Sequence, residues 1–177
     1  MGDIGNLMRP AWAAIQRRHP ALPDCAFRAI PAAPSPSALA CAYAPGGWSN
    51  RELLAVEFTP AGLSGAPEQV FATLLHEAAH MLDWARWGYL SGHRGRFAGF
   101  CAELGLPCIL DYGALDVVAA TRNTRRRWPA LPDDQIMSKV QARLWRAARY
   151  KSAGLTDQLC EVYASPIAAL GVALGGA

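Results

Sequence analysis

The stretch "LLHEAAHMLDWARWGYLSGHRGRF", Leu74 to Phe97, holds three of the chain's four histidines, and two of them bracket a glutamate. His76, Glu77 and His80 form an H-E-x-x-H motif inside a mostly apolar helical pattern. Residues four apart lie one turn apart on the same face, so both imidazoles can reach one ion. Glu77 is rotated aside, where its carboxylate can hold the ion's water instead of binding the ion. The competing reading is two histidines buried in a core helix, which would need hydrogen-bond partners, as would Glu77.

The helix around the motif has recognisable ends. Pro67 suits a first turn, where its missing N–H costs nothing, and Glu68 complements the helix N-terminus. The pattern runs to Trp87, with Gly88 as the expected C-cap. Zinc accepts imidazole nitrogens at about 2.0–2.1 Å, and a catalytic site takes three protein ligands with one position open to water. A metzincin pattern would place glycine at position 83 and histidine at position 86. The chain has Asp83 and Arg86 there, so that pattern fails. Two candidates remain for the third ligand: Glu103 on the following helix and, preferred to it, His93, which is itself an imidazole, follows a Gly88–Gly92 turn able to fold the chain back and opens the next helix. His19 precedes a proline far upstream and reads as ordinary surface. Asp83, on the histidine side of the helix, can orient a ligand's second ring nitrogen or pair with Arg86 or Arg94. Trp84 and Trp87 read as core or interface fillers.

Outward from this helix the chain reads as α+β. Residues 4–18 form an amphipathic helix with Pro10 as a candidate break. Residues 31–36 read as a loop. "ALACAYA" and "ELLAVEF" read as two strands of a hairpin joined by "PGGWSNR". Both faces of the second are largely apolar, so it should be covered on both sides. Further helices are expected at 94–104, 113–121 and 134–150, with a weaker one over 156–174 broken at Pro166.

Composition bounds the class. The chain has 177 residues, 52% hydrophobic and 18% charged, which suits one globular domain with a real core. Its five cysteines are odd in number and lack a C-x-x-C pair, arguing against a disulfide framework or a cysteine zinc knuckle. The N-terminal segment has no uninterrupted apolar run of the signal-peptide kind. The apolar C-terminal run is shorter than the roughly 20 residues of a membrane span. No membrane partner is expected, and the cytoplasm is the expected compartment. The net charge of +3 is unevenly spread: Thr121–Lys151 holds nine basic and two acidic residues. Arg125, Arg126 and Arg127 precede a helix on which Lys139, Arg143 and Arg146 share a stripe. Ile136, Val140, Leu144 and Ala147 form a neighbouring stripe facing the core. Such a cationic stripe beside aromatics can track a phosphate backbone or stack on bases; the alternative is a solvated helix face.

"TLLHEAAHMLDWARWGYLSGHRGRFAGFCAELGLP", residues 73–107, resembles the SprT-like (Spartan-type) metallopeptidase domain. In that family H-E-x-x-H is followed, after a variable loop, by a histidine and then a phenylalanine on the next helix, the places of His93 and Phe97. "AYAPGGWSNRELLAVEF", residues 42–58, is similar to the hairpin that precedes the motif helix in bacterial members. The resemblance covers roughly residues 8–110. It implies His76, His80 and His93 as Zn2+ ligands and Glu77 as general base. It also implies a minimal zincin-like domain, a small β-sheet packed on the motif helix, over residues 1–112. The mostly helical, basic segment 113–177 would then be an extension packed on that core. The implied activity is peptide-bond hydrolysis by a metal-activated water, on a protein or peptide substrate. Single-stranded DNA, or DNA crosslinked to the substrate, is an implied partner. The cysteine zinc ribbon of some members has no counterpart here. The alternatives are a catalytically weak DNA-associated protein with a structural zinc site, and a general peptidase with no nucleic-acid role.

Overall fold

The structure is a computed structural model and describes residues 3–31, 38–45, 53–112 and 116–175. Among these the chain is α+β, with eight helices and five short strands. It divides into two compact units, one of residues 1–108 with 152–177 and the other of residues 109–151. The C-terminal helices thus cluster with the N-terminal part, in place of a single division after residue 112. The reason is packing: Ile167 and Leu170 of the last helix are buried, and that helix meets the first and third helices.

In the first unit, α1 (Ile4–Arg18) starts at Asp3, whose carboxylate accepts the Gly5 N–H at 2.9 Å. The helix continues through Pro10. Proline removes one backbone hydrogen bond and crowds the preceding turn, but Met8, Ala11, Trp12 and Ile15 form a buried face on both sides of it. Strands β1 (Ala26–Ala29), β2 (Ala40–Tyr43) and β3 (Ala55–Phe58) form one sheet in the order β1-β3-β2. β2 and β3 pair antiparallel, Ala42 opposite Val56, as the hairpin reading expects. Its joining residues 46–52, like residues 32–36 of the expected upstream loop, lie outside the described residues. β1 is an unexpected strand, parallel to β3. All four residues of β3 are buried, the two-sided cover its sequence predicts.

A short helix α2 (Pro60–Leu63) is capped by Thr59, which also bonds back to the 38–39 backbone. The long helix α3 (Pro67–Trp87) follows, with Pro67 at its start and Gly88 closing it. It packs against β2 and lays Val70, Phe71, Leu74, Leu75, Ala78 and Leu82 into the core. Helix α4 (Phe97–Glu103) begins three residues later than expected, because residues 93–96 turn. The chain enters the second unit along β4 (Cys108–Asp111) and leaves it along β5 (Arg149–Ser152), two strands that pair with each other. The last helices are α7 (Asp157–Val162) and α8 (Ala164–Gly175). The break falls at Tyr163, buried with its ring 4.8 Å from that of Phe71, and Pro166 sits in the first turn of α8.

The second unit is a helical hairpin of α5 (Val117–Arg127) and α6 (Asp133–Ala147). Its small core is Ala120, Ile136 and Val140, with Leu131 and Leu144 against it. Ala147, expected on the core stripe, is exposed. α6 ends before residue 150 because Arg149–Ser152 is extended in β5. No helix among the described residues is long and apolar enough to cross a membrane.

Candidate metal centre

α3 supplies two imidazoles from one face, as the four-residue spacing requires. His80 is 3% exposed and His76 is half-buried. The third arrives by a reversal of the chain. Gly88 takes φ 73°, donates its N–H to Trp84 O at 2.7 Å and ends the helix. Gly92 and Gly95 also have positive φ, 64° and 52°, where a side chain would be strained. The loop between them returns His93 to the histidine face of α3. One nitrogen from each ring then lies within 4.8 Å of the other two. The Nε2 atoms of His76 and His93 are 2.8 Å apart. On the far side of the His76 ring, Nδ1 meets the Ser152 hydroxyl at 3.1 Å. Phe97 is the floor: its buried ring lies 4.8, 4.6 and 4.9 Å from the rings of His76, His80 and His93.

These donors suit a metal ion. Burial, reinforced by the neighbouring His93, holds the His76 pKa down to about 3. Burial, with His76 and His93 beside it, holds His80 well below its usual value. Both are therefore neutral at pH 7, the form that ligates. Two nitrogens sharing a tetrahedral ion at 2.0–2.1 Å stand about 3.3 Å apart. The His76–His93 pair needs only a small parting to reach that spacing. Glu77, one residue on, is 4% exposed. Burial pushes its carboxyl up to about 8, against the opposing effect of a hydrogen bond from the Ala42 backbone on β2. A cation placed nearby would favour its ionised form.

The other sequence candidates fall elsewhere. Glu103 is half-exposed and paired with Arg86 at 3.2 Å, outside the histidine group. His19 caps α1, with its N–H on Ile15 O at 2.9 Å. It lines an open cavity of about 350 Å³ with Arg18, Glu103 and Tyr163, and is half-buried instead of ordinary surface. Asp83 is fully buried, and both its oxygens are engaged by the loop after α3: Oδ2 accepts the Ser91 N–H at 2.6 Å, and Oδ1 accepts Arg96 Nε at 3.0 Å. Its partner is thus Arg96, neither a ligand ring nor Arg86 or Arg94. Trp84 is partly covered and donates Nε1–H to Pro45 O at 3.3 Å, whereas Trp87 is 54% exposed, so it is no core filler.

In the second unit, Arg125, Arg126, Arg127, Lys139, Arg143 and Arg146 are all exposed. The three consecutive arginines lie on α5, which runs further than expected. Arg125 pairs with Asp133 at 2.9 Å, and Arg127 and Lys139 lie 4.8 and 4.9 Å from the centre of the Trp128 ring. Ser152 went unnoticed in the sequence, and nothing in its surroundings marks a serine 76 residues from its partner. Comparison of the chain with protein-family models, curated proteins and solved structures gives no match in any of the three.

Proposed function

We propose that the chain is a zinc-dependent metallopeptidase of the SprT-like kind with a minimal zincin core, and that it acts on protein substrates. The observation behind this is the convergence of His76, His80 and His93, one nitrogen from each within 4.8 Å of the others. Three imidazole donors suit zinc among the transition metals, though the same donors also accept copper, iron or nickel. The ion would supply Lewis-acid polarisation of the scissile carbonyl and a nucleophile available at neutral pH. The chain's residues do the rest. Phe97 fixes the three rings and excludes water beneath them. Ser152, on the Nδ1 side of His76, leaves Nε2 facing the centre. Glu77 is the proton carrier, taking a proton as the nucleophile attacks and returning it to the leaving amine. A carboxyl whose pKa burial has raised, and which a cation would lower again, is suited to that exchange at neutral pH.

Among the described residues β2 lies at the edge of its sheet, and it sends the Ala42 backbone toward Glu77. An extended peptide can add to such an edge through main-chain hydrogen bonds, so this is where we place the substrate. For the second unit we propose contact with single-stranded DNA, or DNA crosslinked to the substrate. Its support is the exposed cations of α5 and α6 around Trp128.

One observation favours a second reading, a structural zinc in a catalytically weak DNA-associated protein: Glu77 is buried and already bonded to β2. Proteolysis by zinc-loaded wild type and Glu77→Gln, with and without single-stranded DNA, separates the two. The peptidase reading expects cleavage by the wild type and its loss in the variant with zinc retained. Equal turnover by both proteins, or none by either, sinks it. Cleavage indifferent to DNA would point to a general peptidase.

A further inference from the structure

We infer that Asp83 and Arg96 form a positioning device for His93, setting the third imidazole against the two on α3. This rests on the metal reading above. His93 lies in the segment 88–96, which has no regular structure and three glycines at positive φ. A chain of that kind does not hold a ring in place by itself. One buried carboxylate ties it to α3 on both sides of the ring. Asp83 Oδ2 accepts the Ser91 N–H at 2.6 Å, two residues before His93. Asp83 Oδ1 accepts Arg96 Nε–H at 3.0 Å, three residues after it, and lies 2.8 Å from Nη2 as an ion-pair contact. His93 is thus bracketed by two attachments to the same side chain.

The guanidinium is secured from its other side as well. Its carbon lies 4.7 Å from the centre of the Trp87 ring and 4.5 Å from that of Tyr89, and Nη1 donates to the Tyr89 hydroxyl at 2.7 Å. The loop therefore closes around Arg96, and Arg96 closes on α3. Charge-assisted bonds to a buried carboxylate are strong and directional, and a guanidinium presents them in a fixed fork. Asp83 follows His80 by three residues on the same helix, so one rigid element carries two ligands and the anchor of the third. Asp83 and Arg96 act through His93 and are not catalytic residues.

The test is zinc affinity, read by competition with a chromophoric chelator at fixed pH. The proteins are wild type, Asp83→Asn, Arg96→Gln, His93→Ala and the doubles that combine each of the first two with His93→Ala. Loss of either positioning residue should weaken zinc by about 10- to 100-fold, the range for groups that orient a ligand. Within the His93→Ala background the same changes should have no further effect. Arg96→Lys, keeping charge without the fork, should fall between wild type and Arg96→Gln. Arg96 is partly exposed, so its variants remain informative if Asp83→Asn does not fold. An equal loss with and without His93 would mean the pair supports α3 or the whole fold, overturning the inference. Unchanged affinity in both single variants overturns it too. If His93→Ala binds zinc as tightly as wild type, the three-histidine centre itself fails, an outcome distinct from failure of the device alone.

Discussion

Nε2 of His76 and Nε2 of His93 face each other across 2.8 Å, although 17 residues and a helix end separate them in the chain. Two ring nitrogens held that close need either a shared proton or a shared ion. The neighbours hold both rings in place: Phe97 beneath, Ser152 behind His76, and a loop tied to Asp83.

This arrangement fixes how the metal-free protein responds to pH. His76 and His80 have folded pKa values below the unfolded 6.5. Their burial stabilises fully above pH 6.5, and that stability is lost as pH falls and the unfolded chain takes up two protons the native state refuses. Glu77 acts oppositely: with a folded value of about 8 against 4.5, its stability is present below 4.5 and lost as pH rises to 8. Between 4.5 and 6.5 the histidines outweigh it by one proton, so stability rises with pH at about 1.4 kcal/mol per unit. Between 6.5 and 8 Glu77 acts alone and stability falls. Urea denaturation across this range should show a maximum near pH 6.5, and Glu77→Gln should abolish the alkaline decline. A metal-free protein whose stability still climbs from pH 6.5 to 8 would refute the buried, protonated Glu77.

Ser152→Ala removes the partner of His76 Nδ1 while leaving the core intact. Global stability should drop by no more than about 1 kcal/mol, the usual net worth of one hydrogen bond. Zinc affinity should fall by about tenfold, because His76 loses the group that orients its ring. Thermal melts of the metal-free protein and chelator competition measure the two effects separately. A loss of stability with affinity unchanged would make Ser152 a fold residue only.

The second unit makes a separate expectation measurable. If its exposed cations meet a nucleic acid, binding to a fluorescent single-stranded oligonucleotide should weaken steeply with salt, at about 0.7 log units per tenfold salt for each phosphate neutralised. Replacing Lys139, Arg143 and Arg146 with glutamine should lower affinity and flatten that slope. Arg125, already paired with Asp133, should matter less. Absence of binding at low salt would remove nucleic acid from the account.

Much of the centre is legible in the sequence because its geometry is local. The four-residue spacing of His76 and His80, Pro67 at one end of the helix and Gly88 at the other depend only on helix geometry and backbone chemistry. The β2–β3 hairpin is legible for the same reason, since apolar runs flank a turn-rich segment. His93 needs more than helix spacing: it stands ahead of Glu103 because it is an imidazole behind a Gly88–Gly92 turn that can fold the chain back, and the resemblance agrees. What escaped depends on long-range pairing. β1 is four residues, "AFRA", and becomes a strand only by lying parallel to β3. β5 reads in sequence as the end of α6, and its pairing with β4 makes it a strand. Helix spacing offers Asp83 the ligand rings, Arg86 or Arg94 as partners, and cannot foresee a loop that curls Arg96 back onto it.

The central claim is most directly tested by X-ray absorption at the zinc edge on protein loaded with one equivalent of zinc. The account predicts three imidazole nitrogens and one further light atom at about 2.0–2.1 Å, with one imidazole lost in His93→Ala. Sulfur scatterers near about 2.3 Å would put the metal on the cysteines instead. That result, or failure to retain one zinc per chain, would contradict it.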